Sequence, residues 1–316
     1  MLAPRKAIRP WLLLAAGLLA ACEAPLVLDR VREQQAKPTQ RSDRLQAIAS
    51  NGRVAVVVGA RGVVIHSALD RLDWQRQMLP GQPFLLDVDA CPDGRFVALA
   101  AEQQVWIGDA EASRWEPLAL DTAETPQAAA CDPRGRIWVV GSFSTILRSD
   151  DGGRSWTETS MDEDLHYNAI QFVDADTAFM TGEFGVILRS DDGGQSWTSL
   201  DPLPDEFYPQ AAWFSDRDQG WIVGLQGTVW HSSDGAHSWA REPTPTDAPL
   251  YGLAEADGSL YAVGAHGTVL RRAADGRWEN VAHGQPIRFY LRGALGLPDG
   301  QLLTAGGAGA LATIGG

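Results

Sequence analysis

Short apolar runs alternate with glycine-containing turns from about residue 45 to the end of the sequence. One stretch shows the pattern clearly, with apolar runs at 251–255, 260–263, 268–271 and 278–281. Turn signals separate these runs, because glycine supplies the positive φ that tight turns need. The pattern therefore predicts four short antiparallel strands in this stretch and is not typical of long helices.

The same unit recurs along the chain. It reads G-S-F-S-T-I-L-R-S-D-D-G-G-R-S-W from Gly141 and G-E-F-G-V-I-L-R-S-D-D-G-G-Q-S-W from Gly182. Equivalent anchors fall at positions 59, 101, 141, 182, 224, 264 and 306. Seven units of four short antiparallel strands predict an all-β fold, a seven-bladed β-propeller. A β-solenoid is the competing interpretation, but its units would be shorter and contain fewer turns.

The last unit is short of one strand. Its predicted strands lie at 290–295, 302–305 and 310–314, and no terminal tryptophan strand follows them. A missing outer strand leaves an open sheet edge. The β-like run Leu26-Val27-Leu28 is otherwise unassigned, so we predict that residues 25–30 close the seventh blade as its outermost strand.

The N-terminus has the features of a targeting segment. Three basic residues precede an apolar stretch over 11–21, which is too short to span a membrane as a helix. The stretch ends in Leu19-Ala20-Ala21-Cys22, which matches the lipobox of bacterial lipoproteins. An ordinary signal with a chance cysteine is the alternative.

Three segments follow from this interpretation. We expect residues 1–21 to be a lipoprotein signal peptide, 22–41 a tether lipidated at Cys22 that includes the closing strand, and 42–316 the propeller. Glu23 favours the outer membrane, so we expect a monomeric cell-envelope lipoprotein that faces the periplasm.

The charge composition argues against one class of partner, nucleic acid. The formal net charge is −14, and Lys6 and Lys37 are the only lysines among the 316 residues. An acidic chain without a basic stripe is a poor ligand for nucleic acid. We therefore expect no nucleic-acid partner.

A motif S-x-D-x-G-x-S-W recurs in the turn between the third and fourth strands. An aspartate in such a turn accepts hydrogen bonds from its own backbone, and the glycine takes the left-handed conformation. Calcium would need several converging oxygen ligands, which one acid per turn does not supply. We interpret these Asp-boxes as structural; their residues are Ser149, Asp151, Gly153 and Trp156, Ser190, Asp192, Gly194 and Trp197, and Ser232, Asp234 and Trp239.

The repeat resembles the bacterial neuraminidase repeat superfamily. Within it, the pattern G-x-x-G-x-[IV]-L-R-S-x-D-G-G-x-S-W is most similar to the photosystem II stability/assembly factor family, over about residues 42–316. The resemblance implies a non-enzymatic scaffold that acts by protein–protein contact on a membrane-protein complex. It also implies an arginine-rich patch in the photosynthetic members, which this acidic chain lacks as a sequence feature.

One face of the predicted propeller is the candidate binding surface. Loops joining strands two and three share that face with the connections between blades, and loops on a rigid scaffold commonly carry function. Aromatic residues precede the first strand of several units and are predicted to ring the mouth of the channel; the alternative is that they only pack between blades. The candidate partner-binding residues are Phe84, Tyr167, Tyr208, Tyr251 and Tyr290, with Arg61, Phe143, Glu183, Phe184, Gln226 and His266 in the loops.

Catalysis has weaker support in the sequence. Sialidases share the Asp-box, but they need an arginine triad and an acid, and no F-R-I-P-like signature occurs here. The six histidines show no metal-ligand spacing, so we predict no catalytic residues, no metal and no cofactor. A sialidase-like propeller that binds or hydrolyses glycans is the alternative function.

Cys91 and Cys131 occupy the same place in neighbouring units. A disulfide is permitted in an oxidising periplasm. It requires Cα atoms roughly 4.4–6.8 Å apart. The sequence leaves open whether the two form a bridge or remain buried thiols.

Overall fold

The computed structural model of the protein describes residues 28–284 and 286–315. The chain divides into two compact units between Lys37 and Pro38. In the first unit, Asp29–Gln35 form helix α1. Cys22, the predicted signal peptide and residues 25–27 of the predicted closing strand lie outside the described residues.

The prediction of a strand at residues 29–30 is wrong, because these residues begin α1. The run D-R-V-R-E-Q-Q consists largely of good helix formers, and Asp29 lies at the helix N-terminus, where negative charge is stabilised. Among the described residues no helix is long and apolar enough to cross a membrane.

The second unit contains 27 strands. Blades one to four comprise β1 Leu45–Ser50, β2 Val54–Gly59, β3 Val63–Ala68 and β4 Gln75–Met78; β5 Leu85–Ala90, β6 Phe96–Ala100, β7 Gln104–Gly108 and β8 Trp115–Ala119; β9 Pro126–Cys131, β10 Ile137–Gly141, β11 Thr145–Ser149 and β12 Thr157–Ser160; and β13 Tyr167–Phe172, β14 Ala178–Gly182, β15 Ile187–Ser190 and β16 Thr198–Ser199. Blades five to seven comprise β17 Pro209–Phe214, β18 Gly220–Gly224, β19 Val229–Ser232 and β20 Ala240–Glu242; β21 Leu250–Ala256, β22 Ser259–Gly264, β23 Val269–Arg272 and β24 Trp278–Asn280; and β25 Leu291–Gly296, β26 Leu302–Gly306 and β27 Leu311–Ile314.

These strands form seven separate antiparallel sheets, each ordered as in the sequence. The first strand of each sheet contacts the first strands of the neighbouring sheets, and β25 contacts β1, so the ring closes. The prediction of a seven-bladed propeller is therefore confirmed.

Burial explains why the blades stack. The second strand of every blade is almost entirely buried, as in β6, β10, β14, β18 and β26, because neighbouring sheets cover both of its faces. Outer strands face solvent, and all four residues of β12 are exposed. Burial of apolar area between blades is therefore the main stabilising contribution to the ring.

The residues just before β1 help to close the ring. The amide N–H of Gly309 donates a hydrogen bond of 3.0 Å to the carbonyl of Asp43. The Asp43 carboxylate is fully buried and accepts two bonds from the Arg76 guanidinium, of 2.7 and 3.0 Å. This segment thus links the first blade to the seventh, which has three strands among the described residues.

Cys91 and Cys131 form a disulfide, with their Cα atoms 5.0 Å apart. Of the two alternatives left open by the sequence, the structure contains the bridge. It joins the inner strands of blades two and three at the ends where these strands enter their first turns.

Candidate functional site

The propeller has two faces with different loops. We call the side with the loops between second and third strands, and with the connections between blades, the loop face. We call the opposite side the turn face. Loops of the first kind and blade connections lie together, since the amide of Ala101 donates to the carbonyl of Phe84 and the amide of Glu183 to that of His166, both at 2.9 Å.

On the turn face, the aspartate of each S-x-D-x-G-x-S-W motif accepts hydrogen bonds from residues of its own turn. Asp151 accepts hydrogen bonds from the Ser149 hydroxyl at 2.9 Å and from the Ser155 hydroxyl at 2.7 Å. The amide of Gly153 donates to the Ser149 hydroxyl at 2.8 Å. The bonds from Ser155 hold the pKa of Asp151 at about 2.

The other two copies have the same network. The corresponding bonds join Ser190 to Asp192 and Ser232 to Asp234, each at 2.9 Å. Trp197 packs edge-to-face on Trp138 of the preceding blade, with ring centroids 6.2 Å apart. Each carboxylate is occupied by its own turn, which supports the structural interpretation of this motif.

Most arginines on the turn face are paired with carboxylates. Nine ion pairs among the described residues lie there, for example Arg136 with Asp132 and Arg217 with Asp174. Some of them, such as the 2.8 Å contact between Arg217 and Asp174, join turns of neighbouring blades. Charge on this face is therefore used to hold turns together.

On the loop face, the tip of each loop between strands two and three has a left-handed backbone. The predicted binding residues Arg61, Phe143, Phe184, Gln226 and His266 are all at such tips, with φ between 50° and 61°. All five side chains are exposed. The tip residue differs from blade to blade, so the loop fixes the backbone and not the side chain.

The predicted binding residue Glu183 is partly engaged within the fold. It is half-buried, and its carboxylate accepts a 3.0 Å hydrogen bond from the amide of His166. Glu102 contacts the amide of Phe84 in the same way in blade two.

The aromatic residues predicted to ring this face occupy three register positions. The first residue of each inner strand pairs with the last residue of the second strand. Tyr167 is in that position and only 1% exposed, so its predicted place on the binding surface is wrong. Phe84, Tyr208 and Tyr290 come one residue earlier, and Tyr251 one residue later. A shift of one residue turns a side chain to the other side of the strand, which explains the difference.

A β-bulge occurs at the second residue of every inner strand, and sequence reasoning missed it. Bulges often redirect a side chain towards a site. Here the seven bulged residues line the mouth of the central channel, in a cavity of about 210 Å³. They are Gln46, Leu86, Gln127, Asn168, Gln210, Tyr251 and Arg292.

The cavity wall also contains a half-buried acid. Asp87 lines the cavity, and burial raises the pKa of its carboxyl. Asp87 and Asp89 accept hydrogen bonds from the amides of Ala129 and Cys131 in the neighbouring blade, at 3.1 and 2.8 Å. These acids therefore connect two inner strands in addition to lining the channel. The part of the chain that the structure describes contains no group of three or more acidic, histidine or cysteine side chains that could hold a metal.

The fold and these faces define a propeller with one face stabilised by its turns and one face bearing unpaired side chains. Residues 107–207 match the model of the family described as photosynthesis system II assembly factor YCF48. No curated protein matches the chain in sequence.

Solved structures show the same fold at low identity. YCF48 bound to D1 peptide has a TM-score of 0.72 at 13% identity, with 88% of this chain and 92% of that chain covered. YCF48 from Cyanidioschyzon merolae has a TM-score of 0.59 at 19% identity, with 72% and 82% covered. Virginiamycin B lyase from Staphylococcus aureus has a TM-score of 0.73 at 15% identity, with 89% and 96% covered. The family match confirms the resemblance to the photosystem II assembly factor family, and the solved structures show the same fold.

Proposed function

We propose that the protein is a non-enzymatic binding or assembly scaffold that contacts a membrane-protein complex through its loop face. The observation that carries this proposal is the separation of roles between the faces. Many charged side chains on the turn face form ion pairs with one another, whereas the loop tips hold exposed side chains that the repeat does not dictate. A similar fold in complex with a peptide, YCF48 bound to D1 peptide, supports the proposal.

The test is crosslinking in cells followed by pull-down from native membranes. The loop-face variant changes the five exposed tip residues to serine: Arg61, Phe143, Phe184, Gln226 and His266. The control variant changes five exposed turn-face residues to serine: Arg53, Arg114, Arg154, Gln195 and Arg277. We expect the wild type and the control to capture the same membrane protein and the loop-face variant to lose it. Capture of no membrane protein by the wild type, or equal capture by all three, would contradict the proposal.

An enzymatic function is the second candidate, because virginiamycin B lyase shares the fold. The axial cavity is where a small substrate would bind, since it contains Tyr251, Arg292 and Asp87. Among the described residues that line it, Arg292 is the single arginine, which argues against a sialidase-type arginine triad. Turnover of a streptogramin B or of a sialyl conjugate by the wild type, lost in the Arg292→Gln variant, would favour this candidate.

We also propose that a lipid on Cys22 holds the propeller to the outer membrane, facing the periplasm. The lipobox at 19–22 supports this proposal. Mass spectrometry of the protein purified from membranes is expected to find a diacylglyceryl group on Cys22. Release of the Cys22→Ala variant into the soluble fraction is the second expected result, and wild-type protein without lipid would contradict it.

A further inference from the structure

Exposed apolar side chains are concentrated in three of the seven blades. Eight large hydrophobic residues are exposed in the described part of the chain, and five of them lie on the loop face of blades three to five. We call these five the apolar arc: Phe143, Met161, Phe184, Tyr208 and Leu225. Exposure ranges from 36% for Met161 to 56% for Phe184.

These residues lie close together along the ring. Phe143, Phe184 and Leu225 belong to the loops between strands two and three of three consecutive blades. Met161 and Tyr208 belong to the connections that lie against those loops. The amide of Met161, for example, donates to the carbonyl of Ser144, and Gly224 lies directly beneath the carbonyl of Tyr208. Phe143 and Met161 therefore lie on adjacent segments, as do Tyr208 and Leu225, and the loop of Phe184 contacts residues 204–206 of the connection that carries Tyr208.

The fold does not require apolar residues at these positions. Equivalent tips in other blades carry Arg61, Gln103 and His266 with the same left-handed backbone. Phe143 and Phe184 have φ of 50° and 58°, a conformation that is unfavourable for a bulky residue. A solvent-exposed phenylalanine in a strained conformation stabilises neither the loop nor the core, so it points to an interaction surface.

The arc has a negative border. Seven exposed acids flank it in the three blade connections: Asp162, Glu163, Asp164, Asp201, Asp205, Glu206 and Asp247. These connections, 161–166, 201–208 and 243–249, contain no lysine and no arginine. None of the seven acids forms an ion pair with a described residue, whereas the turn-face acids commonly do.

Most exposed arginines of the loop face lie on the other side of the ring; the exception is Arg241 of β20, which lines a pocket together with Gln226 and Asp247. Arg41, Arg44, Arg61, Arg288 and Arg292 are exposed around blades seven and one, and none of them pairs with a described carboxylate. The loop face thus has an acidic and apolar side, where seven exposed acids outnumber Arg241, and a basic side around blades seven and one. Charge complementarity then selects the ligand of the arc, because a negative border attracts positive charge and repels an anionic membrane surface.

We propose that the apolar arc binds a cationic, apolar segment of a partner protein. The proposal rests on the proposed scaffold function and adds the chemistry of the partner. Apolar side chains of the segment cover the arc, and lysine or arginine residues beside them face the seven acids. Aromatic residues at the centre of an interface supply most of its binding energy, so Phe184 is expected to be the main anchor.

The first test uses three fluorescent peptides of equal length and the full-length protein. One peptide combines lysine with leucine, the second glutamate with leucine, and the third lysine with serine. We expect the lysine–leucine peptide to bind at least ten times more tightly than the other two. Comparable binding of the glutamate–leucine peptide would overturn the proposal.

Matched variants locate the binding on the arc. Phe184→Ser is compared with Phe289→Ser, because both side chains are 56% exposed but Phe289 lies outside the arc. We expect the first variant to weaken binding at least tenfold and the second to leave it unchanged. Equal loss in both would show that binding is not at the arc.

A charge variant separates local charge from net charge. Asp162→Asn, Glu163→Gln and Asp164→Asn together remove three charges beside the arc. The control, Asp70→Asn, Asp73→Asn and Glu111→Gln, removes three exposed charges on the turn face. We expect only the first triple variant to weaken binding and to reduce its salt dependence. An equal effect of the control would contradict a local role of the acids.

The second test separates this inference from the proposed function. A photo-crosslinking amino acid replaces Phe184 in cells, and the crosslinked partner segment is sequenced. A crosslinked segment rich in lysine or arginine and in apolar residues supports the proposal. Capture of a membrane protein in the pull-down, together with an acidic crosslinked segment or none at this position, would overturn the arc proposal while the scaffold function stands.

Discussion

On the turn face, Arg136 contacts Asp132 and Arg217 contacts Asp174, so most charges are neutralised within the protein. On the loop face, Arg61 and Arg288 have no carboxylate partner among the described residues, and Asp205 and Glu206 have no cation. The same blades supply both faces, so the difference arises from the loops alone. It teaches that this propeller uses its turn face for stability and keeps its loop face available for contacts.

Removal of the Asp132 carboxylate is expected to have the largest effect. This fully buried side chain accepts hydrogen bonds from the guanidinium of Arg136 at 2.5 Å and from the indole of Trp138 at 2.9 Å. Asp132→Ala removes the carboxylate partner of Arg136, which keeps only its bond to the Gly193 carbonyl, and leaves the indole N–H unpaired. It is expected to lower the free energy of unfolding by about 3–5 kcal/mol. Denaturant titration measures the loss, with Asp162→Ala on the loop face as the control. Equal destabilisation by both variants would break the comparison between the faces.

Loss of the disulfide is expected to have the next largest effect. Cys91 and Cys131 enclose a sequence separation of 40 residues. Replacement of both by alanine is expected to lower the free energy of unfolding by about 2–4 kcal/mol, because the unfolded chain regains conformational freedom. Denaturation of the variant is compared with that of the oxidised and the reduced wild type. Identical midpoints for all three would show that the bridge contributes nothing to stability.

The pH dependence of stability tests the contact that Asp89 makes with the neighbouring inner strand. Burial raises the pKa of Asp89 to about 6. Between pH 4 and 6 the folded protein therefore keeps a proton on Asp89 that the unfolded chain has released. Its ionisation therefore destabilises the fold as pH rises through this range, by about 2 kcal/mol. Relative to Asp89→Asn, the wild type is expected to gain this amount when the pH falls from 7 to 4. A difference between the two proteins that stays constant with pH would contradict the raised pKa.

Replacement of Phe184, at the loop tip of blade four, by glycine is expected to have the smallest effect on stability, and this effect is of opposite sign. Phe184 has a φ of 58° and an exposed side chain. Phe184→Gly relieves the left-handed strain and is expected to raise the free energy of unfolding by about 1 kcal/mol, even though it removes the proposed anchor. Thermal unfolding measures the change, with Phe289→Gly as the control. A loss of stability at position 184 would mean that its side chain serves the fold after all.

Much of the fold could be predicted from local patterns. The apolar run predicted at 260–263 lies within β22, Ser259–Gly264, and the predicted three-stranded last unit matches β25, β26 and β27. Glycine turns and apolar runs report the local backbone, and their regular recurrence indicates the ring. The disulfide could not be decided in this way, because the distance between neighbouring inner strands depends on how the blades pack.

The candidate site was less accessible to sequence reasoning. Tyr167 and Tyr251 both stand near the start of an inner strand, yet one is buried and the other lines the channel. The spacing of these residues along the chain contained a signal for the channel-lining position. The predicted tyrosines are separated by 41, 43 and 39 residues, whereas the bulged residues follow one another at 40 to 42. Sequence alone does not show that the inner strand contains a bulge, because a bulge is defined by the pairing with the next strand.

The bulge in every inner strand has a consequence for how the lining of the central channel can vary. The extra residue stands outside the regular pairing of the ladder, so its replacement leaves the strand register intact. The channel wall therefore includes seven positions that can be substituted one at a time in a fixed frame. Leu86 is an example, because it is aliphatic whereas the other six bulged residues are polar or aromatic. A change in the chemistry of this wall requires point substitutions only, with no insertion and no new loop conformation.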